Sequence, residues 1–473
     1  MMKRFTQFTL ALLAMGFSAN AADGYKIKCK INGVKDSACY LAYYFGDKQY
    51  LKDTAKADAN GNMEFSGPEK LPGGIYLVVV PKKKYFEIIL DKEQNFSLET
   101  DTADLIKNLK SKGSKDNELF YSYLEFIGNK SKEMEPLKDE LKKIEEKKDA
   151  KKDEAKAVRD KMQAVDKEVK EYKLNFIKAH PDMLLSAVFK ASQEPEVPET
   201  PTLANGKKDS TFAYRYFKGH YWDGTDFTDD RILRTPVFAN KLKFYMDKLV
   251  VQMPDSLNKE SDYLVEKGRP NKEMFKYLVY WLTNTYETSN LMGADAVFVN
   301  MVKKYYKTGQ AFWVTDTVLK KINERGDQLD KILIGKTAPD LLVQDTNLAN
   351  FALSKFQAKV TILYFWDPDC GHCKKVTPKV LEFYEKYKVK GVEVFAVCTN
   401  FGETMEPWKK GIKEMKLKWF NVADLFNKTG YKKTYDIYST PVIYVLDKDK
   451  KIRAKRIGSE DLEGIVDRML KEK

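Results

Sequence analysis

Tyr25, Ile27, Cys29 and Ile31 alternate with Lys26, Lys28 and Lys30, the period-two pattern of a strand with one buried face. Asn32-Gly33 opens a polar turn, and an apolar, β-prone run resumes at Cys39–Tyr44. Asn60-Gly61 is a second turn signal. Ile75–Val80, Tyr85–Leu90 and Phe96–Leu98 continue the strand pattern, with Pro81–Lys84 as a connection. Short strands at this spacing predict an all-β, sandwich-like domain with antiparallel pairing over residues 22–112. Cys29 and Cys39 flank the first turn. A hairpin there would set them face to face, which makes them candidates for a structural disulfide.

The period then changes. Leu119, Tyr123 and Phe126 share one face at helical spacing, and an α-helical domain is expected over 113–335. Within it, residues 131–173 are dense in Lys, Glu and Asp, with sparse apolar positions at Leu137, Leu141, Ile144, Val158, Met162, Val165 and Val169. The heptad is not sustained, so a solvated amphipathic helix pair is expected there; a coiled-coil arm for a partner is the other reading. Pro195, Pro198, Pro201 and Gly206 mark residues 192–210 as a loop. Tyr214, Tyr216, Phe217, Tyr221, Trp222 and Phe227 crowd together after it and read as core or domain interface. Leu242–Val251, Met274–Tyr286 and Ala296–Tyr306 read as packed helices.

Over 336–473 the pattern changes again. Val360–Trp366 is an unbroken β-branched and aromatic run, as in a central strand buried on both faces. It leads into Asp367-Pro368-Asp369-Cys370-Gly371-His372-Cys373, and Lys374–Lys388 follows with helical spacing. Cys370 thus falls where a strand ends and a helix begins. Free backbone N–H groups and the positive end of the helix dipole there favour thiolate over thiol. An imidazolium at His372 would stabilise that thiolate further and tune the couple's potential. Cys373, one turn on, is placed to resolve a mixed disulfide. Val392–Cys398 and Val442–Leu446 read as further strands, the latter preceded by Thr440-Pro441. Ile452–Arg456 is a fourth, and Asp461–Leu470 a closing helix.

Composition narrows the function. The net charge of +13 is spread among 82 basic and 69 acidic residues, a solvated surface rather than a nucleic-acid groove, and no nucleic-acid motif accompanies it. His180, His220 and His372 are the three histidines and lie far apart, so no metal centre is expected. A zinc site around Cys370 and Cys373 would have to rely on Cys398 and His372. At the N-terminus, Lys3 and Arg4 precede the apolar run Phe8–Phe17, and Ala19-Asn20-Ala21 follows. This is the form of a secretory signal cleaved near Ala21. The expected mature protein is exported to the periplasm or cell envelope, has no membrane span after cleavage, and works where disulfides persist.

The W-D-P-D-C-G-H-C motif, with Thr-Pro before a later strand, resembles the thioredoxin superfamily. The long gap between Cys370 and Pro441 and the extension around Leu341–Val343 and Phe351–Leu353 resemble its TlpA/ResA-like extracytoplasmic members. The resemblance implies a C-terminal α/β thioredoxin fold with no cofactor. It makes Cys370 the nucleophile, Cys373 the resolving thiol and Pro441 a cis-proline beside them, where substrate binds, with Thr440 as the variable specificity position. It implies protein thiols and disulfides as substrates and a membrane electron donor of the DsbD type. Three departures stand out. Tyr364 occupies the position of the buried carboxylate, Val376 that of a common glutamate, and the dipeptide is Gly-His. Histidine favours the reduced form, Asp367 and Asp369 oppose it, and the direction of electron flow stays open. Cys398 reads as a buried small hydrophobe. A thiol peroxidase would need P-x-x-x-[ST]-x-x-C, but Leu363 and Asp367 stand where its proline and hydroxyl residue belong. A non-enzymatic envelope binding protein with an accessory redox module is the remaining alternative.

Overall fold

The computed structural model describes residues 24–146 and 152–472. The expected signal at 1–21 lies outside them. Among the described residues, no helix is long and apolar enough to cross a membrane. The chain divides into two compact units, the first ending at Lys243 and the second starting at Phe244. The helical region runs across this boundary, with helices in each unit. Periodicity reports which face of a helix is buried, not against which neighbour.

In the first unit, β1 (Tyr25–Asn32), β2 (Ala38–Phe45), β3 (Lys48–Lys56), β4 (Asn62–Gly67), β5 (Gly74–Val80), β6 (Lys84–Leu90), β7 (Asn95–Asp101) and β8 (Lys110–Lys112) build two four-stranded sheets. Their orders are β4-β1-β7-β8 and β3-β2-β5-β6. Ile27, Leu41, Phe65, Val78, Phe86 and Ile88 fill the core. Two expectations fail here. β1 pairs with β7 in parallel, so the domain is not wholly antiparallel. Nor do β1 and β2 form a hairpin: Cys29 lies in one sheet, opposite Met63 and Leu98, and Cys39 in the other, opposite Ala55. Both are buried free thiols of the same core, and burial, then the neighbouring Cys39, pushes the Cys29 thiol up to about 12. A turn signal marks where a chain bends, but not which strand it pairs with next.

Ser114 caps α1 (Lys115–Glu145) by accepting the Asn117 N–H at 3.3 Å. The buried Asn117 amide then serves the free edge of β6: it accepts the Ile89 N–H at 2.9 Å and donates to the Ile89 carbonyl at 2.8 Å. α2 (Lys152–Ala179) packs on α1 through Ile144, Ala155 and Val158, flanked by Leu137, Leu141 and Met162. Lys130–Glu168 and Arg159–Glu145 pairs stand outside this seam at 2.5 and 2.7 Å. The charged stretch is thus a helix pair within one chain; its residues 147–151 lie outside the described ones. α3 (Leu184–Ala191), α4 (Phe212–His220) and α5 (Pro236–Phe244) follow. Residues 192–210 form a loop closed by one isolated Thr202–Lys208 bridge. Of the aromatic cluster, Tyr221, Trp222 and Phe227 are core, whereas Tyr214 is exposed.

The second unit holds α6 (Pro254–Gly268), α7 (Lys272–Glu287), α8 (Asp295–Met301) and α9 (Asp316–Asp330), then the sheet-helix module. Its strands are β9 (Leu342–Gln344), β10 (Asn350–Ala352), β11 (Val360–Trp366), β12 (Val392–Cys398), β13 (Phe420–Ala423), β14 (Val442–Asp447) and β15 (Ile452–Lys455). Between them run α10 (Gly371–Tyr387), α11 (Glu406–Glu414) and α12 (Tyr431–Thr434), and α13 (Leu462–Lys471) closes the chain. The sheet order is β10-β9-β13-β12-β11-β14-β15. β11 is central and wholly buried, parallel to β12 and antiparallel to β14. Helices and sheet join along β15. There Gly335 donates to the Ile452 carbonyl at 2.7 Å and Ile452 to that of Lys336 at 2.8 Å. The buried Lys455 ammonium pairs with Asp295 and donates to the Ile332 carbonyl at 2.7 Å.

Candidate active site

β11 ends at Trp366, and its carbonyl accepts the Thr399 N–H at 2.8 Å, which ties the strand end to that of β12. Pro368 is buried, and the Asp369 N–H closes a turn on the Asp367 carboxylate at 2.8 Å. The chain then enters α10 with Cys370 as its N-cap. α11 approaches this turn through Gly411, where an added Cβ would lie 2.8 Å from the Pro368 Cβ and 3.4 Å from the Trp366 ring. A glycine is needed for helix and turn to pack this closely. Only the assembled structure reveals that requirement.

The two sulfurs have different surroundings. Cys370 is half-buried; its thiol donates to the Thr440 carbonyl at 3.4 Å. Cys373 is fully buried, and its sulfur accepts the Asp367 N–H at 3.4 Å. Burial opposes ionisation of Cys370, but hydrogen bonds from the Cys373 backbone, the Thr440 and Cys373 side chains and the His372 backbone outweigh it and hold its pKa below the ordinary thiol range. For Cys373 burial prevails and pushes the thiol up to about 11, against the opposing Asp367 backbone hydrogen bond. Iodoacetamide should therefore alkylate Cys370 at a rate that rises with pH through a midpoint below the ordinary thiol range and then levels off, whereas Cys373 gains reactivity only at about 11. Peptide mass spectrometry of the reduced protein across pH separates the two. Equal midpoints would contradict this asymmetry.

The structure brings Cys370, Cys373, Thr440 and Pro441 together, and the Thr440–Pro441 peptide is cis. His372 lies exposed on the first turn of α10, and Asp369 is exposed beside it. Tyr364 is buried, with its hydroxyl 2.8 Å from that of Thr377 on α10. Both sulfurs help to raise its pKa, after burial. A hydroxyl pair thus stands at the position of the absent carboxylate. Cys398 is buried; its thiol donates to the Asn400 carbonyl at 3.2 Å and burial pushes it up to about 12. No group of three or more His, Cys, Asp or Glu side chains able to hold a metal occurs among the described residues. Cys29 and Cys39 belong to the sandwich of the first unit and take no part in this site.

The tie from β12 through Thr399 and the close packing at Gly411 were not apparent from the sequence. Their signals, a hydroxyl residue after a buried strand and a glycine inside a helical pattern, are too common to single out.

Three family models match the chain: the AhpC/TSA family over residues 334–455, and two domains of unknown function, DUF5106 over 139–331 and DUF4369 over 25–120. The thiol-disulfide oxidoreductase ResA of Bacillus cereus is 36% identical over 143 residues, which make up 30% of this chain and 80% of that protein. Among solved structures, a domain described as a possible thiol-disulfide isomerase from Cytophaga hutchinsonii is 47% identical, covering 29% of this chain and 92% of that one, with a TM-score of 0.28. The thioredoxin domain of a thiol-disulfide oxidoreductase from Bacteroides vulgatus is 31% identical, covering 29% and 97%, with a TM-score of 0.27. A sheet-helix module with a Cys-x-x-Cys helix cap and a relative matched over four-fifths of its length agree: through its C-terminal module, this chain belongs to the TlpA/ResA-like thiol–disulfide oxidoreductases of the thioredoxin superfamily.

Proposed function

We propose that residues 336–473 exchange thiols and disulfides with proteins of the cell envelope, with Cys370 as nucleophile and Cys373 as resolving thiol. The opposite displacement of the two sulfurs at one helix N-terminus carries this reading. The Cys370 thiolate attacks a substrate disulfide, forms a mixed disulfide and expels one substrate thiolate. Cys373 then attacks the Cys370 sulfur, which closes the Cys370–Cys373 disulfide and releases the second substrate thiol. Two electrons pass from enzyme to substrate, and reversal of both steps oxidises a substrate dithiol. Cys373 must lose a proton to resolve; Asp369 or water is the acceptor in this scheme, since Tyr364 replaces the carboxylate. The Thr440–Pro441 backbone offers the edge on which a substrate strand would lie, and His372 adjusts the potential.

Exchange of this kind requires no cofactor. The secretory pattern of residues 1–21 supports export, and the resemblance supports a DsbD-type membrane protein as electron partner. The family match over residues 334–455 supports a redox module that begins near 336. The family description AhpC/TSA does not extend the proposal to peroxide, because Leu363 and Asp367 replace the peroxidatic proline and hydroxyl residue.

Equilibration of the chain from Ala22 in glutathione buffers, with alkylation and mass spectrometry of Cys370 and Cys373, tests the reading. A midpoint near about −180 mV assigns oxidation or isomerisation, and one near about −270 mV assigns reduction. A pair that never exchanges is an inert disulfide, and the proposal fails.

A further inference from the structure

The loop that carries Thr440 is anchored partly by a helix outside the redox module. Asp436 lies four residues before Thr440. Its carboxylate is 0% exposed, and its φ of 59° is left-handed, a conformation that Asp tolerates better than most residues. Three side chains from outside its own loop converge on it. Arg325, on α9, grips both oxygens, with Nη1 on Oδ1 and Nη2 on Oδ2, the second at 3.0 Å. Gln328, nearly one turn on, donates to Oδ1 at 3.1 Å and to the Lys433 carbonyl at 2.6 Å. Arg456, just after β15, donates to Oδ2 and, at 2.7 Å, to the carbonyl of Asp436 itself. Burial would neutralise this carboxyl, but the two guanidiniums hold it ionised, with its pKa below the ordinary range.

Directly after Asp436, Ile437 is buried and donates its N–H to the Lys432 carbonyl at 2.7 Å, so the span between anchors is short. At the far end the Ile443 carbonyl accepts the Arg456 N–H at 2.8 Å, and Val442 is in register with Phe365. Between these anchors, Tyr438 is 78% exposed with its ring 5.9 Å from the Arg325 guanidinium. Two residues later the Thr440 carbonyl meets the Cys370 sulfur at 3.4 Å. A shift of Asp436 therefore reaches the sulfur through four residues. A bidentate pair fixes orientation as well as distance, and the cation that completes it comes from a region matched by a domain of unknown function, residues 139–331.

We propose that α9 sets the position of the substrate-facing loop Ile437–Pro441, with Arg325 a positioning residue that acts through Asp436. The helical segment thereby governs how a polypeptide disulfide is engaged, while the thiols supply the chemistry. This rests on the exchange activity proposed above.

The test uses the reduced full chain in single turnovers, which need no recycling partner, with insulin as the polypeptide disulfide and oxidised glutathione as the small one. Arg325→Met should raise the half-saturating insulin concentration about tenfold with little change in the limiting rate. It should slow glutathione exchange less, and Arg325→Lys, which keeps one charge-assisted bond, should recover part of the loss. Equal slowing of both disulfides, or no change in a folded variant, overturns the proposal. Gln328→Ala is a milder variant that leaves Asp436 paired with both arginines. Its amide hydrogen exchange should be about threefold faster over residues 437–443 and unchanged in α10; an unchanged loop overturns the proposal. Wild-type protein that exchanges with neither insulin nor glutathione would instead remove the oxidoreductase reading, and this inference with it.

Discussion

Replacement of Cys370 by serine is expected to reduce disulfide exchange to the uncatalysed background, while Cys373→Ser leaves the first attack intact and traps its product. Serine presents no thiolate, and Cys370 is the sulfur whose surroundings lower its pKa. Cys373 is fully buried, so a substrate disulfide reaches Cys370 first. With Cys373 removed, the mixed disulfide has no internal attacker and is released only by an external thiol. Non-reducing electrophoresis with mass spectrometry of the captured species reads both outcomes. Adducts on Cys370→Ser through Cys373, or none on Cys373→Ser, would reverse or abolish the proposed roles. Cys398→Ser is the control, because its thiol is buried and bonded to the Asn400 carbonyl.

The largest stability loss is expected at Phe365. This side chain is 0% exposed in the central strand. Its ring stacks on Tyr431 at 5.6 Å and packs against Tyr435 at 5.3 Å and Tyr444 at 6.2 Å. Phe365→Ala removes the shared contact of β11, β14 and the α12 segment, and should cost about 3–5 kcal/mol through lost burial and a residual cavity. Urea unfolding of the full chain, followed by the fluorescence of its six tryptophans, measures it. The chain has two compact units, so a curve in more than one step is expected, with only the step of the second unit moved. A loss under about 1 kcal/mol would mean that the site collapses around the smaller side chain. Tyr431 and Tyr435 lead directly into Asp436, so the variant should also speed amide exchange in the loop before Thr440.

Legibility in the sequence varied with the range of the interaction. The run Val360–Trp366 contains only Thr361, Tyr364 and Trp366 as polar-tipped residues, and a strand so apolar can be stable only with both faces covered. Its central place followed from composition alone. The helix pair around residues 131–173 was equally legible, since sparse apolar positions among charges leave a narrow seam and a wide wet face. The hairpin suggested by Asn32-Gly33 was misleading. β1 finds its partners in β4 and β7, and the alternation of Tyr25, Ile27, Cys29 and Ile31 is satisfied by any partner of either direction.

The chemistry of the site shows the same division. Cys370, Cys373 and the helix that follows them are neighbours in sequence, and the local order of strand, turn and helix is enough to place a sulfur at a helix N-terminus. Thr440 reached the site through the resemblance of a Thr-Pro pair, not through any period. Arg325, Gln328, Asp436 and Arg456 carried no signal, because an ion pair between residues far apart in the chain leaves no spacing to read. By itself the sequence determined the alternating face of β1, the buried strand β11, the charged helix pair and the Cys370–Cys373 pair at a strand-to-helix turn, all set by backbone geometry and side-chain polarity over a few residues. The tertiary structure alone decided the pairing of β1 with β7, the division of the helices between two units, and the grip of α9 on the loop before Pro441. Each depends on which distant surfaces bury one another, and that choice rests on packing and charge compensation summed over the whole fold.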